Sequence, residues 1–518
     1  MRILHAACLV FLSLMPAMAD PAAQWWADVS ALADDGMKGR LTGTDDYLRA
    51  ADYVIGRLKA EGLSPAGSNG YFQPVAFERQ LVDQDKSHAE LTGAGGRALA
   101  VGDEMLILSG TGPRPVTVDA PLLFLGYGLH LPREGHDDFA GQNVKGKIVV
   151  VLSGGPSDIS GAVKSNARAA RIMQLAQRGA AGIITLTTPR QLEILWKRQK
   201  LVARQPGMYF ADPALRDIHA PFFLATFDPA RSGVLFAGSG HSFTALCALA
   251  DASKPLPRFA LPARLKANVA AARSKVTSPN IVAKLEGGDP RLKKEYVGVS
   301  AHLDHLGVGA PIDGDAIYNG AMDDASGVAA VLDIAHRLKE GPRPRRSILF
   351  LIFTAEEKGL LGSAYYAQRP TVPRGSIVAD LNFDMPLPLW PLRTIYAPGQ
   401  EESSLGADAA AVAQSRGLTM IPDPLPDRNV FIRTDQFSFV REGVPALVFK
   451  FGFALGSPEA RIEHDWRATR YHSPSDDLAQ PVLKDEAVKL DAFVAALAER
   501  VANARTRPGW RPDSIFHP

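Results

Sequence analysis

A chain of 518 residues is longer than one ordinary hydrophobic core organises, and the length points to two or three domains. Apolar residues at 46% and charged residues at 22% exclude disorder as the main state. With 57 basic residues against 55 acidic ones and no long Lys/Arg block to track a phosphate backbone, no nucleic-acid partner is expected.

The opening residues, "MRILHAACLVFLSLMPAMAD", combine a positive start at Arg2, an apolar run from Ile3 to Met15, and the small-residue pattern Ala17-Met18-Ala19. This predicts a secretory signal peptide, residues 1–19, cut after Ala19. A membrane anchor would need about 20 apolar residues, and Pro16 interrupts this run too early. Too little apolar sequence precedes Cys8 for lipoprotein processing. The mature chain then keeps Cys247 alone, which excludes an internal disulfide and predicts a buried small hydrophobe. A secreted or periplasmic protein is expected.

From Pro21 to about Val75 the pattern reads as helical, with Leu48, Ala51, Val54, Ile55 and Leu58 at helical spacing and Gly62 as the terminating C-cap. Between about Asp119 and Ala250 the texture changes to short apolar runs separated by Gly turns: "PLLFLGYGL", "GKIVVVLSGG", "GAAGIITLTT" and "APFFLATF". One helix, "NARAARIMQLAQRG", lies among these strands. Pro255, Pro257 and Pro262 in "DASKPLPRFALPARL" predict a connection between domains. After Ser278 strand, loop and helix alternate. "YVGVSA", "SILFLIFTA", "IVADLNF" and "ALVFKF" are continuous apolar runs suited to strands buried on both faces, and "GVAAVLDIAHRLKE" reads as a helix between them. The fold class is therefore α/β, a mostly parallel central sheet sandwiched by helices.

Polar residues fall where those strands end. His302 and Asp304 follow "YVGVSA", Glu356 and Glu357 follow "ILFLIFTA", and Asp384 follows "VADLNF". Ligands of open α/β sheets bind beyond the carboxyl ends of the strands, so these side chains meet at one rim. The loop "NGAMDDASG" adds Asp323 and Asp324, and "YHSPSDD" adds His472. So many acids in one cleft would raise one another's pKa values without a cation. Mixed imidazole and carboxylate ligands suit zinc or a similar metal rather than calcium. Five ligands exceed what one catalytic zinc takes, and two metals sharing one carboxylate fit the number.

"AHLDHLG", "NGAMDDASGVA", "FTAEEKGLLGS", "NFDM" and "YHSPSDD", in this order, resemble the zinc aminopeptidases of peptidase family M28 from Ser278 to about Asp477. "MKGRLTGT" and "YFQPV" are similar to that family's opening segment. "FLGYGL", "DDFAGQNVKGKIVVVLSGGP" and "QRGAAGIITL" resemble the β-rich protease-associated domain often inserted in these enzymes. The resemblance implies an N-terminal part of the catalytic domain at 20–118, the insert at 119–262, and a two-zinc peptidase domain at 263–518. It implies that His302 and Asp384 bind one Zn²⁺, Glu357 and His472 the other, and that Asp323 bridges them. Glu356 would be the general base. Asp304 would accept a hydrogen bond from the His302 imidazole. A cis peptide is expected between Asp323 and Asp324, with Asp324 capping the next helix.

The expected substrates are peptides, attacked at the N-terminus. A carboxypeptidase or dipeptidase on the same scaffold would need basic groups such as Arg433 and Lys450 for a terminal carboxylate. A non-catalytic binding protein of this fold would have lost metal ligands, and all five are present here. A glutaminyl cyclase would need only one zinc. His305 and His464 are expected to be surface or supporting groups rather than ligands. Asp435 is expected to serve a loop or helix cap.

Overall fold

A computed structural model describes residues 20–517, apart from residues 95, 193 and 429. The expected signal peptide lies outside the described residues. Among the described residues no helix is long and apolar enough to cross a membrane.

The sheet that positions the site consists of β1 (Phe72–Val82), β2 (Gly207–Phe210), β3 (Ala271–Leu285), β4 (Tyr296–His302), β5 (Ser347–Phe353), β6 (Ile377–Asn382) and β7 (Ala446–Val448), with the two-residue strand Ser64–Pro65 pairing antiparallel with β3. Its spatial order is β2-β1-β3-β5-β4-β6-β7. β4 pairs parallel with β5 and with β6, and β6 pairs parallel with β7. Four neighbouring strands therefore end on one rim. The β3 to β1 half is antiparallel.

Continuous apolar strands require cover on both faces, and alternate residues of β5 show it. Ile348, Phe350 and Ile352 pack with α1 (Pro21–Leu32), α2 (Asp45–Ala60), α3 (Ser326–Glu340) and α4 (Lys484–Asn503), through residues such as Trp25, Val54, Leu332 and Phe493. Leu349, Leu351 and Phe353 pack on the opposite side against Tyr366, Phe437 and Phe439. The α/β sandwich expected from the sequence is present, but its sheet is mixed rather than mostly parallel, because the strands from β3 to β2 are antiparallel.

A second eight-stranded sheet is built from strands between residues 88 and 268. It contains the expected strands at 117–125, 148–152, 182–186 and 223–227 and the helix Gly161–Gln177. It is wider than the 119–262 segment expected for the insert, because His88–Gly93, Arg97–Leu99 and Met105–Ile107 also belong to it. Arg258–Asn268, expected as a linker, is likewise one of its strands, paired on both sides. The prolines misled because a register shift between Ala260 and Arg264 takes Pro262 out of the ladder. The helical expectation from Pro21 to Val75 also fails in its last part. Gly62, at φ 66°, ends α2, and β1 begins at Phe72.

One core carboxyl gives a pH-dependent prediction. Asp380 on β6 is fully buried, accepts one hydrogen bond from the Ser300 hydroxyl at 2.9 Å, and leaves its other oxygen without a partner. Burial pushes its pKa from 3.8 up to about 8. The folded value lies above the unfolded one, so the favourable contribution is complete below about pH 4 and is lost as pH rises toward 8. Asp380→Asn removes this dependence. Relative to wild type, the variant gains about 1.4 kcal/mol per pH unit as an upper slope across that window, read as the difference in urea unfolding at pH 5 and pH 8.

Candidate metal centre

The rim order β5-β4-β6 sets the side chains in a row. His302 is the last residue of β4, Glu356 and Glu357 follow β5 after Thr354 and Ala355, and Asp384 lies two residues beyond β6. Non-glycine residues with left-handed backbone cluster here: Ala355 at φ 56°, Met385 at φ 50° and His472 at φ 51°. Such conformations persist only where surrounding structure fixes them, and they collect at functional sites.

All the expected ligands are brought together. Asp323 stands at the centre with its two oxygens facing opposite ways. Oδ1 is 3.3 Å from His302 Nε2, and Oδ2 is 3.4 Å from His472 Nε2. His472 Nε2 is also 3.2 Å from Glu357 Oε2. His302, Asp323 and Asp384 form one group able to hold a metal ion, and Asp323 and Glu357 belong to a second group with His305. Glu356 belongs to neither group, yet its Oε2 is 3.9 Å from His302 Nε2.

The donor set fits metal ligation. His302 Nε2, His305 Nδ1 and Glu357 Oε1 are buried and make no hydrogen bond, a rare state for polar atoms in a folded core. Burial opposes charge on His302 and His472, but Glu356 with Asp323 around the first, and Glu357 with Asp323 around the second, hold both imidazoles well above their usual pKa. A cation binding there would displace those protons, as metal ligands require.

The adjacent aspartates divide their roles. Burial would raise the Asp323 carboxyl, but the imidazoles of His302 and His472 overrule it and keep it well below the usual range. Burial, with Asp384 and Asp323 adding to it against His302, drives Asp324 well above that range. Asp324 Oδ1 accepts from Gly327 N at 3.0 Å, a cap on α3, and from Met385 N at 3.1 Å, which ties this loop to the one carrying Asp384. Gly327 is required because a Cβ there would sit 2.3 Å from Asp324 Oδ2. The Asp323–Asp324 peptide is cis, as expected.

Three expectations change. His302 Nδ1 donates to the backbone carbonyl of Asp304 at 3.0 Å, not to its carboxylate. The Asp304 carboxylate instead accepts from the Thr42 hydroxyl at 2.9 Å and from Glu356 N at 3.0 Å, so it braces the residue beside it in space. His305, expected at the surface or in support, is fully buried with Nδ1 2.7 Å from Glu357 Oε1. His464 is exposed, as expected. Asp435 is the residue before helix Gln436–Arg441 but makes no capping bond through its side chain; it is buried, and burial pushes it up to about 7.

Supporting residues escaped sequence reasoning. Asp476, in "YHSPSDD", accepts from the backbone N–H groups of Met322 and Asp323 at 3.0 Å, joining the His472 loop to the Asp323 loop. Arg40, in "MKGRLTGT", donates to the carbonyls of Leu303 and Gly320 at 2.8 and 2.9 Å, and to those of Leu32 and Asn319 at 2.6 Å. Lys450, two residues past β7, donates to the Asp384 carbonyl and lies 3.3 Å from Asp384 Oδ1. A cavity beside the ligands is lined by Asp323, Glu356, Asp384, Arg428, Arg433 and Tyr471, among others.

The second sheet's unit reaches the site through Arg198, in helix Trp196–Val202. Its guanidinium donates to the carbonyls of Tyr471 at 2.9 Å and Arg467 at 3.0 Å, just ahead of His472. Arg198→Ala leaves these carbonyls unsatisfied and frees the His472 loop. Loss of such supporting contacts costs about 10-fold or more in metal affinity, to be read by chelator competition against wild type.

Residues 280–498 match the family model described as Peptidase family M28. The chain is 30% identical over 239 residues to "Probable leucine aminopeptidase 2" of Aspergillus fumigatus, covering 43% of this chain and 44% of that protein. It is 26% identical over 228 residues to "Aminopeptidase Y" of Saccharomyces cerevisiae, covering 42% and 37%. The matched segments thus span less than half of either relative. A solved structure, the aminopeptidase from Aneurinibacillus sp. strain AM-1, superposes with a TM-score of 0.54 at 19% identity, covering 96% of each chain, and so shares the fold.

Proposed function

Because residues 280–498 of this chain match the model of peptidase family M28, we propose that the protein is an exported two-zinc aminopeptidase of that family that removes N-terminal residues from peptides. The observation that carries this reading is the placement of Asp323, one oxygen toward His302 and the other toward His472. His302, Asp323 and Asp384 would hold one zinc, and Asp323, Glu357 and His472 the other. The second sheet, whose strands fall between residues 88 and 268, is read as the protease-associated insert, with Gly207–Phe210 in that span returning to the first sheet.

The chemistry that zinc supplies when bound is polarisation of a carbonyl and a lowered pKa for water. The protein's own part falls to Glu356. Held by its backbone N–H on Asp304 and facing the ligands without joining them, its carboxylate takes the proton of the attacking water and passes it to the leaving amine. Burial, reinforced by Asp384 and Glu357 against His302, raises Glu356 well above the usual carboxylate range, and cations held by the neighbouring ligands would favour its ionised, proton-accepting form. The carboxylates lining the cavity favour a peptide's α-ammonium group.

One observation favours a second reading. Arg433, whose guanidinium donates to the Tyr471 hydroxyl at 3.1 Å, lines the same cavity where a carboxypeptidase or dipeptidase would receive a terminal carboxylate, while Arg428 and Arg467 beside it are paired with Glu463. Lys450 does not serve this purpose, because it is committed to Asp384. Assays on leucine p-nitroanilide and on an N-acetylated dipeptide separate the two. The aminopeptidase reading predicts hydrolysis of the free-amine substrate, and hydrolysis of the blocked one alone would overturn it.

A further inference from the structure

The residue that the reading above leaves unused is His305. Its ring is fully buried, and Nδ1 lies 2.7 Å from Glu357 Oε1 and 3.9 Å from Asp323 Oδ2. His305 Nδ1 and Glu357 Oε1 are in ion-pair contact without the angular geometry of a good hydrogen bond, and neither ring nitrogen of His305 nor Glu357 Oε1 has a hydrogen-bond partner elsewhere. The N–H and lone-pair directions are therefore misaligned for donation. Two donor atoms that approach closely without bonding each other are arranged to share a third, positively charged partner.

We propose that His305 Nδ1 is a further ligand of the metal held by Glu357, a role that rests on the two-zinc reading above. His302 and His305 then act as a pair from one short loop. His302 addresses Asp323 Oδ1 and His305 addresses the side of Asp323 Oδ2, so the segment "HLDH" gives an imidazole to each metal. Asp304 between them keeps its carboxylate for Thr42 and Glu356. The His305 ring is held by packing and by its ion-pair contact with Glu357. Gly320, at φ 62°, lies against it, and a Cβ there would come within 2.6 Å of the ring. A bare glycine at this point is what allows the imidazole its place.

The metal beside Glu357 then has four protein groups, Asp323, Glu357, His472 and His305, against three for the metal beside Asp384. The two ions bind with unequal affinity, and the site containing His305 is the tighter. Full-length wild type, His305→Ala and His305→Gln are stripped of metal, checked for matching circular dichroism, and titrated with Zn²⁺ against a chromogenic chelator and with Co²⁺ by visible absorption. The expected result is two unequal sites in wild type, with the tighter one weakened at least 100-fold in both variants and its cobalt absorption bands shifted. Unchanged zinc affinities, or weakened affinity with unchanged cobalt bands, would overturn ligation by His305 and leave the two-zinc reading standing. Failure of wild type to take up any metal would overturn both.

Discussion

Replacing Glu356 with alanine is expected to lower kcat/KM for leucine p-nitroanilide by about a thousandfold, inside the 10²–10⁴ range of a general acid–base group. The variant should keep the zinc content of wild type, because Glu356 lies in neither ligand group. The comparison of activity with metal content is what makes the test sharp. A variant that loses zinc together with activity would mean that Glu356 is a ligand, and a variant with wild-type activity would remove it from the mechanism.

The second large effect concerns folding. Arg40 is fully buried and satisfies the carbonyls of Leu32, Leu303, Asn319 and Gly320, which come from α1, the loop after β4 and the loop holding Asp323. Arg40→Met keeps much of the volume and removes all four donors. Unsatisfied buried carbonyls cost about 1–3 kcal/mol each, so the variant is expected to lose more than about 4 kcal/mol, an effect large enough to be diagnostic. Chemical denaturation measures it. A midpoint within a few tenths molar of wild type would mean that water reaches those carbonyls.

Arg40 also shows where reading the sequence stops. The rim residues His302, Asp323, Glu356, Glu357 and Asp384 were legible because each follows a continuous apolar strand or the loop beyond one, and strand ends in a parallel sheet share one edge. His472 follows no strand, and only its motif marked it. Arg40 and Asp476 act through backbone carbonyls and amides, and Thr42 through the Asp304 carboxylate, more than 150 positions away, and no local pattern records such partners. The role of Asp304 was misread for a related reason: whether a carboxylate or its own backbone carbonyl meets an imidazole depends on the turn, not on residue type. His305 was set aside because a lone histidine carries no signal of burial. The glycine at 320 that makes room for it is distant enough in sequence to look like an ordinary turn residue.

The fold was legible to a similar degree. Apolar runs identified the parallel strands β4 to β7 and the central strands of the second sheet, whereas β1, β2 and β3 carried no such run and Arg258–Asn268 was hidden by prolines that its register shift accommodates. The N-terminal limit of the second sheet was hidden because His88–Gly93 and Arg97–Leu99 are short and partly polar on their exposed face.

The central claim is that these side chains hold two metal ions that hydrolysis requires. Its most direct test is the activity of chelator-stripped protein on leucine p-nitroanilide as Zn²⁺ is added in measured equivalents. The predicted curve starts near zero and levels off at two equivalents per chain. Full activity in the stripped protein, no activity at any zinc concentration, or a plateau at one equivalent would contradict it.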